Sequence, residues 1–440
     1  MYNALIWSFD EEYIYPAIRK LHEEIIDIKY WAGFKIECPY CTHEINHIWN
    51  ERFESSYFQG YDSGVYDYVY NCLPQFISQC SRKYMPNRKS FHEYLNKFNI
   101  YFEYYYNLII QNDINLFIFI DLPHDGVDLI IYNIARFLKR KIIIVSQSIF
   151  ANKFFCISDM DDFGTFATSP IQTEPNWIQI ENQFKKDLFY MKERKERYDF
   201  KLEKRLWEIN KIINTNIFEW MIYELQKFDY KRRYKACIKK HAVKQVDLNR
   251  PFVYFPLHLQ PEMTTASIGH RYVDQVMALE HLRKKIPPAW YIYVKENPKQ
   301  TYFMRDTDFF KRMERIPQVV FIDKTYDTYS LLERCKLVST ITGTVGWEAI
   351  TGGKSVLIFG DAWYKNFPGV FSYQDNIDID HIAEHKPDFQ EVQNALNMLM
   401  SKMGQGIVEA SSAVAVSDYS HEKNCEMIYN YFKQILAERK

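Results

Sequence analysis

The chain has 440 residues and a net charge of −1, and 47% of its residues are hydrophobic and 25% charged. This length suits two domains of about 200 residues each, and the composition excludes a disordered chain. Because the net charge is close to zero, no overall field attracts nucleic acid, and we expect no nucleic-acid partner.

The eight cysteines are scattered along the chain and do not form a compact disulfide framework. This pattern favours a reduced, cytoplasmic protein. The N-terminal residues reach Asp10 and Glu11 without a long apolar core, and no window of about 18 uninterrupted apolar residues occurs. We therefore predict neither a signal peptide nor a membrane-spanning helix.

The first part of the chain alternates short apolar runs with helical patterns. In chain order these are a strand over 3–9, a helix over 12–26, a strand over 28–34, helices over 65–81 and 90–112, a strand over 116–120, a helix over 126–139 and a strand over 141–146. Continuous apolar runs separated by helices are typical of parallel strands that are buried on both faces. We predict an α/β layer structure here.

After a charged, helical stretch at about 176–245, the alternation resumes. Strands are predicted over 252–257, 291–296, 319–323, 336–340 and 355–360, with helices over 271–285, 303–315, 327–334 and 344–352. This order predicts a doubly wound parallel sheet, followed by a helical tail from about 387 with a last helix near 421–438.

The predicted domain boundaries follow from these patterns. We expect an N-terminal Rossmann-like domain over 1–175, a helical connecting segment over 176–250, a second Rossmann-like domain over 251–400 and a helical tail over 401–440. The end of the connecting segment, 231–244, holds seven Lys or Arg residues and no acid. That stretch is either a solvated helix face or a patch for an anionic membrane surface or an acidic glycan.

One stretch of the second domain, 336–348, has the composition of a phosphate-binding loop. An apolar run leads into small hydroxyl residues and two glycines, and a helical pattern begins at about Thr344. Glycines allow the backbone N–H groups to approach a ligand, and hydroxyls and a helix start add donors. The alternative is an ordinary strand–loop–helix turn with Thr344 as the N-cap.

Polar side chains also follow the neighbouring predicted strands, at the carboxyl edge where ligands bind open α/β sheets. The candidate binding residues are Gln260, Glu262, Lys295, Asn297, Ser339, Thr340, Thr342, Gly343, Thr344 and Glu348, and His258 is a candidate catalytic residue. Lys295 would offset phosphate charge, and Glu348 would accept hydrogen bonds from ribose hydroxyls. Alternatively, His258 is a loop histidine, and Glu348 is an acid favoured by the helix dipole.

In the first half, the corresponding strand end carries Asp121, His124 and Asp125 before a helix. An acid and an imidazole at this position can supply a general base or a nucleophile. The alternative is a turn over 123–126 with Asp125 capping the helix.

The segment from Cys38 to His47 contains two thiols and two imidazoles, as a zinc site does. However, only one residue separates Cys41 from His43, whereas zinc fingers place a dozen or so residues between their ligand pairs. We predict a cysteine-bearing loop and no metal site.

Five blocks of the second half, in order, resemble the bacterial capsule polysaccharide biosynthesis family, whose members include Kdo transferases. The blocks are FPLHLQPEMTT (255–265), VDQVMALEHL (273–282), WYIYVKENP (290–298), STITGTVGWEAI (339–350) and VLIFGDAWY (356–364). In the first half, only LPHDGVDLIIYNIAR (122–136) and the strand after it are similar.

The resemblance implies a GT-B glycosyltransferase, with two Rossmann-like domains facing a cleft. The nucleotide-sugar donor would bind the C-terminal domain and the acceptor the N-terminal one, with no catalytic metal and no cofactor. Relatives that use CMP-sugars usually have Lys-Glu-His-Pro where this chain has Lys295-Glu296-Asn297-Pro298, so Asn297 takes the place of the histidine. Since Asn cannot act as an acid, acid help to the leaving group would fall to His258.

These observations predict a metal-independent glycosyltransferase of capsule or surface polysaccharide synthesis that transfers Kdo or a related ulosonic acid from a CMP-sugar to a glycan or glycolipid. The alternatives are a nucleotide-sugar epimerase or hydrolase of the same fold, and a non-catalytic scaffold subunit. The expected location is cytoplasmic, with peripheral contact to the inner membrane.

Overall fold

The computed structural model of the chain describes residues 1–34, 37–45, 48, 53–81, 89–172, 177–180 and 217–437. Two compact units divide these residues. The first unit takes in the described residues of Met1–Ser81, Lys89–Gln179 and Gln393–Lys440, and the second those of Ile180–Val392. Each unit is built around its own sheet.

The sheet of the first unit has seven strands in the described residues. They are β1 (Tyr2–Trp7), β2 (Ile26–Gly33), β3 (His43–Glu44), β4 (Leu116–Ile120), β5 (Lys141–Gln147), β6 (Lys153–Ile157) and, near the C-terminus, β13 (Gly404–Gln405). Their spatial order is β13-β6-β5-β4-β1-β2-β3. The strands from β5 to β3 pair in parallel, and β6 pairs antiparallel with both β5 and β13.

The sheet of the second unit has six described strands. They are β7 (Phe252–Pro256), β8 (Tyr291–Lys295), β9 (Val319–Ile322), β10 (Leu337–Thr340), β11 (Val356–Ile358) and β12 (Val370–Ser372). Their order is β12-β11-β10-β7-β8-β9, and all the pairs are parallel.

Helices link these strands, and the described residues also include short 3-10 helices at Ser55–Tyr57, Met160–Asp162, His270–Val273 and Ala410–Ala415. The α-helices are α1 (Tyr15–Glu24), α2 (Ser63–Tyr70), α3 (Leu73–Ser81), α4 (Phe91–Gln111), α5 (Val127–Phe137), α6 (Ile217–His241), α7 (Met263–Ile268), α8 (Gln275–Lys285), α9 (Thr307–Glu314), α10 (Thr328–Arg334), α11 (Val345–Thr351), α12 (Ile379–Glu384), α13 (Phe389–Met400) and α14 (His421–Ala437). Within the ranges given above, none of them combines the length and the apolar character needed to cross a bilayer.

The core of each unit follows from its apolar strand runs. In the first unit, Ile6 and Ile118 of the sheet are buried with Ile18 of α1 and Phe432 of α14. In the second unit, alternate residues of β7 and β8 are buried against α8. Burial of these strands on both faces explains why their sequences are almost continuously apolar.

The connectivity of the second sheet creates a switch point. From the central strand β7 the chain winds outward through β8 and β9, and it then returns to place β10 on the other side of β7. At such a reversal the connections leave in opposite directions and open a crevice beyond the carboxyl ends of the two central strands. The residues after β7 and β10 are therefore placed where this fold binds ligands.

The predicted α/β class with two Rossmann-like domains is confirmed, but several elements differ. Strands β3, β6, β12 and β13 and helices α7 and α12 were not predicted, and the helix expected over 65–81 is two helices, α2 and α3. The predicted tail, 401–440, contributes β13 and α14 to the first unit, because the apolar face of α14 is buried there. Of the predicted connecting segment, residues 181–216 lie outside the described residues.

Candidate functional site

One imidazole ties together the loops that follow β7 and β10. Nε2 of His258 lies 3.1 Å from Oγ1 of Thr340 and accepts a hydrogen bond of 3.2 Å from the N–H of Thr342. Oγ1 of Thr340 accepts the N–H of Gly343 at 3.3 Å. Because Nε2 receives a backbone N–H, it carries no proton, and Thr340 donates its hydroxyl proton to it. The ring is therefore neutral.

This arrangement gives His258 a part in holding the loop. Burial, and then the charge of Arg305, lower the pKa of His258 to about 4. With Nε2 accepting these hydrogen bonds, the neutral ring carries its proton on Nδ1. His258 thus fixes the shape of the loop from Thr340 to Gly343, and its predicted catalytic role stays a prediction.

Two buried hydroxyls at this strand end have no hydrogen-bond partner in the described part of the chain. They are Oγ of Ser339, near the end of β10, and Oγ1 of Thr342, in the loop that follows. Ser339 is 0% exposed and Thr342 is 7% exposed. A buried polar group without a partner costs about 1–3 kcal/mol. A Cβ at Gly343 would lie 2.9 Å from Oγ1 of Thr340, so only glycine fits there. Both hydroxyls are thus enclosed near the carboxyl edge of the second sheet without a partner in the described residues.

A buried ion pair supports the loop after β7. The guanidinium of Arg305 donates to Oε2 of Glu296 at 2.9 Å, to Oε1 of Gln260 at 2.8 Å and to the carbonyl of His258 at 2.9 Å. Nε2 of Gln260 donates to the carbonyl of Val273 at 2.7 Å. The side chain of Gln260, a predicted donor-binding residue, is therefore engaged in holding the loop.

Two other predicted binding residues lie in the turns beside this loop. Oδ1 of Asn297 accepts the N–H of Lys299 at 3.0 Å, which is the hydrogen bond of an Asx turn. Burial raises the pKa of Glu262, against the effect of a 3.4 Å hydrogen bond from Thr264 and the charge of Lys299. Asn297 thus shapes a turn, and Glu262 holds a half-buried carboxyl group at the carboxyl edge of the sheet.

Glu348 lies among three buried tyrosines. Burial raises the pKa values of Tyr254, Tyr329 and Tyr364, and the charge of Glu348 raises them further. The hydroxyl of Tyr364 donates to the carbonyl of Gly343, which connects this cluster to the loop. Glu348 itself is buried. The predicted residues His258, Thr342 and Glu348 therefore belong to one connected region.

Lys295 is directed elsewhere. Its Nζ donates to Oγ1 of Thr328 at 2.6 Å, at the start of α10. Burial lowers the pKa of Lys295, while the charges of Asp327 and Asp323 act in the opposite direction. These contacts direct the ammonium towards the start of α10, and its predicted role beside the donor phosphate stays a prediction. Thr344 occupies the N-cap of α11, which is the position considered for it in the alternative interpretation, but its side chain makes no capping hydrogen bond.

In the first unit, Asp121 and His124 lie at the carboxyl end of β4. Oγ of Ser146 donates to Oδ1 of Asp121 at 2.8 Å, and burial raises the pKa of Asp121. Nδ1 of His124 lies 2.7 Å from the carbonyl of Leu122 and must donate to it. Nε2 is then the basic nitrogen of the neutral ring. His124 has the tautomer that a general base requires.

Asp125 does not cap helix α5, which contradicts the alternative considered for it. The carboxylate of Asp128 instead accepts the N–H groups of His124 at 2.7 Å and Asp125 at 2.8 Å. Gly126 has a φ of 87°, and a Cβ there would lie 2.5 Å from Sγ of Cys80. The loop that carries the predicted catalytic residues is therefore held in one shape by its own helix and by α3.

The cysteine-bearing loop contains a pair of buried thiols, Cys38 and Cys41. A hydrogen bond between the two lowers the pKa of Cys38 and raises that of Cys41. The ring of His43 stacks on Tyr30 at 3.9 Å between centroids, and His47 lies outside the described residues. No three His, Cys, Asp or Glu side chains come together as a metal site within the described ranges.

The sequence model described as capsule polysaccharide biosynthesis protein matches residues 185–405, which is half of the chain. The chain belongs to this family. The match covers every loop at the carboxyl edge of the second sheet, and it confirms the resemblance carried by the five sequence blocks. No curated protein matches the sequence of this family member.

Several solved structures resemble the chain at low identity. The β-Kdo 2,7-transferase of KpsC from Thermosulfurimonas dismutans is 10% identical, with 75% of this chain and 89% of that chain covered and a TM-score of 0.33. The β-Kdo 2,4-transferase of the same protein is 14% identical, with coverages of 66% and 84% and a TM-score of 0.33. The UDP-GlcNAc 2-epimerase of Methanocaldococcus jannaschii is 12% identical, with coverages of 91% and 99% and a TM-score of 0.26. Similarity at this level carries no information about activity.

Proposed function

We propose that this capsule biosynthesis protein is a glycosyltransferase of the GT-B type. It transfers a sugar from a nucleotide-sugar donor to a glycan or glycolipid acceptor. The proposed donor is a CMP-activated ulosonic acid such as Kdo. The donor phosphate binds the loop from Ser339 to Thr344 in the second unit.

The observation that carries this proposal is the pair of partnerless hydroxyls of Ser339 and Thr342 at the switch point of a parallel sheet. A loop whose backbone is already tied down by His258 has no structural need of two buried hydroxyls. Phosphate oxygens accept hydrogen bonds from hydroxyls, and hydrogen bonds to a charged acceptor are about twice as strong as neutral ones. An anionic ligand would therefore recover the free energy that burial of these groups costs.

The proposal assigns proton removal from the acceptor hydroxyl to the first unit. Nε2 of His124 is the basic nitrogen of its ring, and the carboxyl group of Asp121 lies close enough to interact with the imidazole. A carboxylate beside an imidazole stabilises the imidazolium that forms when the ring takes up a proton. His124 is thus the preferred base, with Asp121 and Asp125 beside it.

The test of this function is a transfer assay with CMP-, UDP- and GDP-sugars, each with and without a glycan acceptor. A glycosyltransferase releases nucleotide and lengthens the glycan only when both substrates are present. An epimerase or hydrolase would convert the donor without acceptor, and a scaffold subunit would bind none of the nucleotides; either outcome contradicts the proposal.

Transfer in this proposal needs no bound metal ion, because donors of the protein itself, the hydroxyls of Ser339 and Thr342, bind the phosphate. Activity in an excess of EDTA should therefore equal activity without it. A loss of activity that is restored by adding back a divalent ion would contradict this part of the proposal.

The surface of helix α6 supports a further part of the proposal, contact with an anionic membrane surface. Ile222, Leu225 and Phe228 are exposed at helical spacing, and most of the basic stretch 231–244 lies in the last turns of the same helix, which ends at His241. Some of these charges are already paired, since Arg232 and Arg233 both contact Asp229 and Lys240 contacts Glu314. The rest of the basic stretch can contact acidic headgroups.

Charge reversal tests this contact. The variant carries Glu at Arg232, Arg233, Lys239 and Lys240, and its matched control carries Glu at Lys311, Lys324, Arg334 and Lys336, exposed cations of the same unit. We expect the first variant to bind vesicles containing phosphatidylserine more weakly than the control does. Equal binding would leave 231–244 as a solvated helix face.

A further inference from the structure

An acid that contacts a histidine and a lysine lies beside the loop of Ser339 and Thr342. Oδ2 of Asp361 accepts a hydrogen bond of 2.6 Å from Nε2 of His270, and Oδ1 accepts one of 3.0 Å from Nζ of Lys365. Burial alone would raise the pKa of Asp361, but the hydrogen bonds from His270 and Lys365 bring it below its ordinary value. The carboxylate is thus charged, and its two partners are basic.

Backbone contacts attach this cluster to the loop. The N–H of Asp361 donates to the carbonyl of Ile268 at 2.9 Å, and the N–H of Gly360 donates to the carbonyl of Ile341 at 3.0 Å. A Cβ at Gly360 would lie 2.6 Å from the Ile268 carbonyl and 2.9 Å from Cγ2 of Thr342. The absence of a side chain at Gly360 therefore lets the segment that carries His270 approach Thr342.

The exposure of the three side chains differs in a way that suits a binding surface. Asp361 is 25% exposed and Lys365 14%, whereas His270 is 57% exposed. His270 also has a φ of 49°, which non-glycine residues adopt rarely. With the ring protonated, the cluster carries a net charge of +1 at the edge of the loop.

We propose that His270 and Lys365, positioned by Asp361, form a cationic second half of the donor site and contact the anionic oxygens of the nucleoside phosphate. This inference rests on the proposed function, and it names residues that supply positive charge in addition to Lys295. Asp361 acts as the positioning residue, because it orients both cations while it remains partly buried itself.

The test compares CMP with cytidine, which lacks the phosphate, by calorimetry on the full chain. The His270→Gln and Asp361→Asn variants should bind CMP at least about tenfold more weakly than the wild type and cytidine equally well. Their melting temperatures should stay close to that of the wild type. A merely structural role would not separate the two ligands.

The chain offers a matched control at the other end of its second unit. Oε1 of Glu314 lies 2.8 Å from Nζ of Lys240 and 3.3 Å from Nδ1 of His241, so the same three kinds of group meet there. Glu314 ends α9, ahead of β9, and therefore lies at the amino edge of the parallel sheet. The His241→Gln variant should bind CMP as the wild type does.

Each outcome decides the inference. Unchanged CMP affinity in both cluster variants would overturn it, as would equal weakening of CMP and cytidine or the same loss in His241→Gln. If the wild type bound none of CMP, UDP and GDP, the proposed function would fail together with the inference. If the wild type bound CMP and the cluster variants bound it equally well, only the inference would fail.

Discussion

His258 shows how far a single buried side chain determines the chemistry of its loop. The sequence pattern predicts a strand that ends just before His258, and the structure confirms that strand as β7. Its role, however, depends on Thr342 and Arg305, which lie 84 and 47 positions further along the chain. No local pattern encodes such distant partners, so the neutral, accepting state of the imidazole could not be predicted from the sequence.

The low pKa of His258 predicts a pH-dependent stability. Between its ordinary value of 6.5 and its folded value of about 4, the unfolded chain binds a proton at His258 and the folded chain does not. The free energy of unfolding therefore falls as the pH drops below 6.5, by about 2 kcal/mol at pH 5, and this contribution is fully retained above pH 6.5. Urea unfolding of the wild type and His258→Gln at pH 7 and pH 5 measures it.

The advantage of the wild type over His258→Gln should shrink by about that amount at pH 5. An advantage of the same size at pH 7 and pH 5 would contradict a neutral, buried His258.

At the scale of elements, the long apolar runs were predictable and the short or antiparallel elements were not. Each core strand from β7 to β11 has an apolar run in the sequence, because it is buried on both faces. β6 returns antiparallel to β5 after a short connection, and α7 has six residues, too few for a helical period to be recognised. The hydrogen bonds of Arg305 were not predicted either, because they join it to residues of two other loops, Glu296 after β8 and Gln260 after β7.

The loop after β7 depends on this network, which predicts a large effect for Arg305→Met. Glu296 is 1% exposed, so removal of the guanidinium leaves a buried carboxylate unpaired, at a cost of about 3–5 kcal/mol. The double variant Glu296→Gln/Arg305→Met should lose less free energy of unfolding than Arg305→Met, because no unpaired charge remains. Chemical denaturation measures the free energy of unfolding of both variants.

An exposed ion pair serves as the control for this buried one. Nε of Arg250 lies 3.2 Å from Oδ2 of Asp247. Arg250→Met should change the free energy of unfolding by no more than about 1 kcal/mol. If the double variant were as unstable as Arg305→Met alone, charge burial would not be the reason for the loss.

For the whole molecule, the alternation of strands and helices was sufficient to predict two Rossmann-like domains. It did not reveal that the end of the chain completes the first unit, because a helical pattern does not specify which sheet its apolar face covers. Phe432 of α14 is fully buried with Ile6 of β1 and with Phe9, which follows β1. An independent helical tail would leave these residues exposed.

Phe432→Ala should therefore lower the free energy of unfolding by about 3–5 kcal/mol, as expected for a large buried aromatic residue. Met398, near the end of α13, is exposed. Met398→Ala should therefore change the free energy of unfolding by no more than about 0.5 kcal/mol. A small effect of Phe432→Ala would show that α14 is not part of the core.

The central claim is that the hydroxyls of Ser339 and Thr342 are kept for the donor phosphate. Calorimetric titration of CMP into the wild type and the double variant Ser339→Ala/Thr342→Val tests it most directly. As a control, Thr351→Val removes a buried hydroxyl that already donates to the carbonyl of Trp347 at 3.0 Å and should leave CMP affinity unchanged.

We expect the wild type to bind CMP and the double variant to bind it at least about tenfold more weakly, with no loss of thermal stability, because neither hydroxyl has a partner to lose. Equal affinity in the wild type and a folded double variant would contradict the claim.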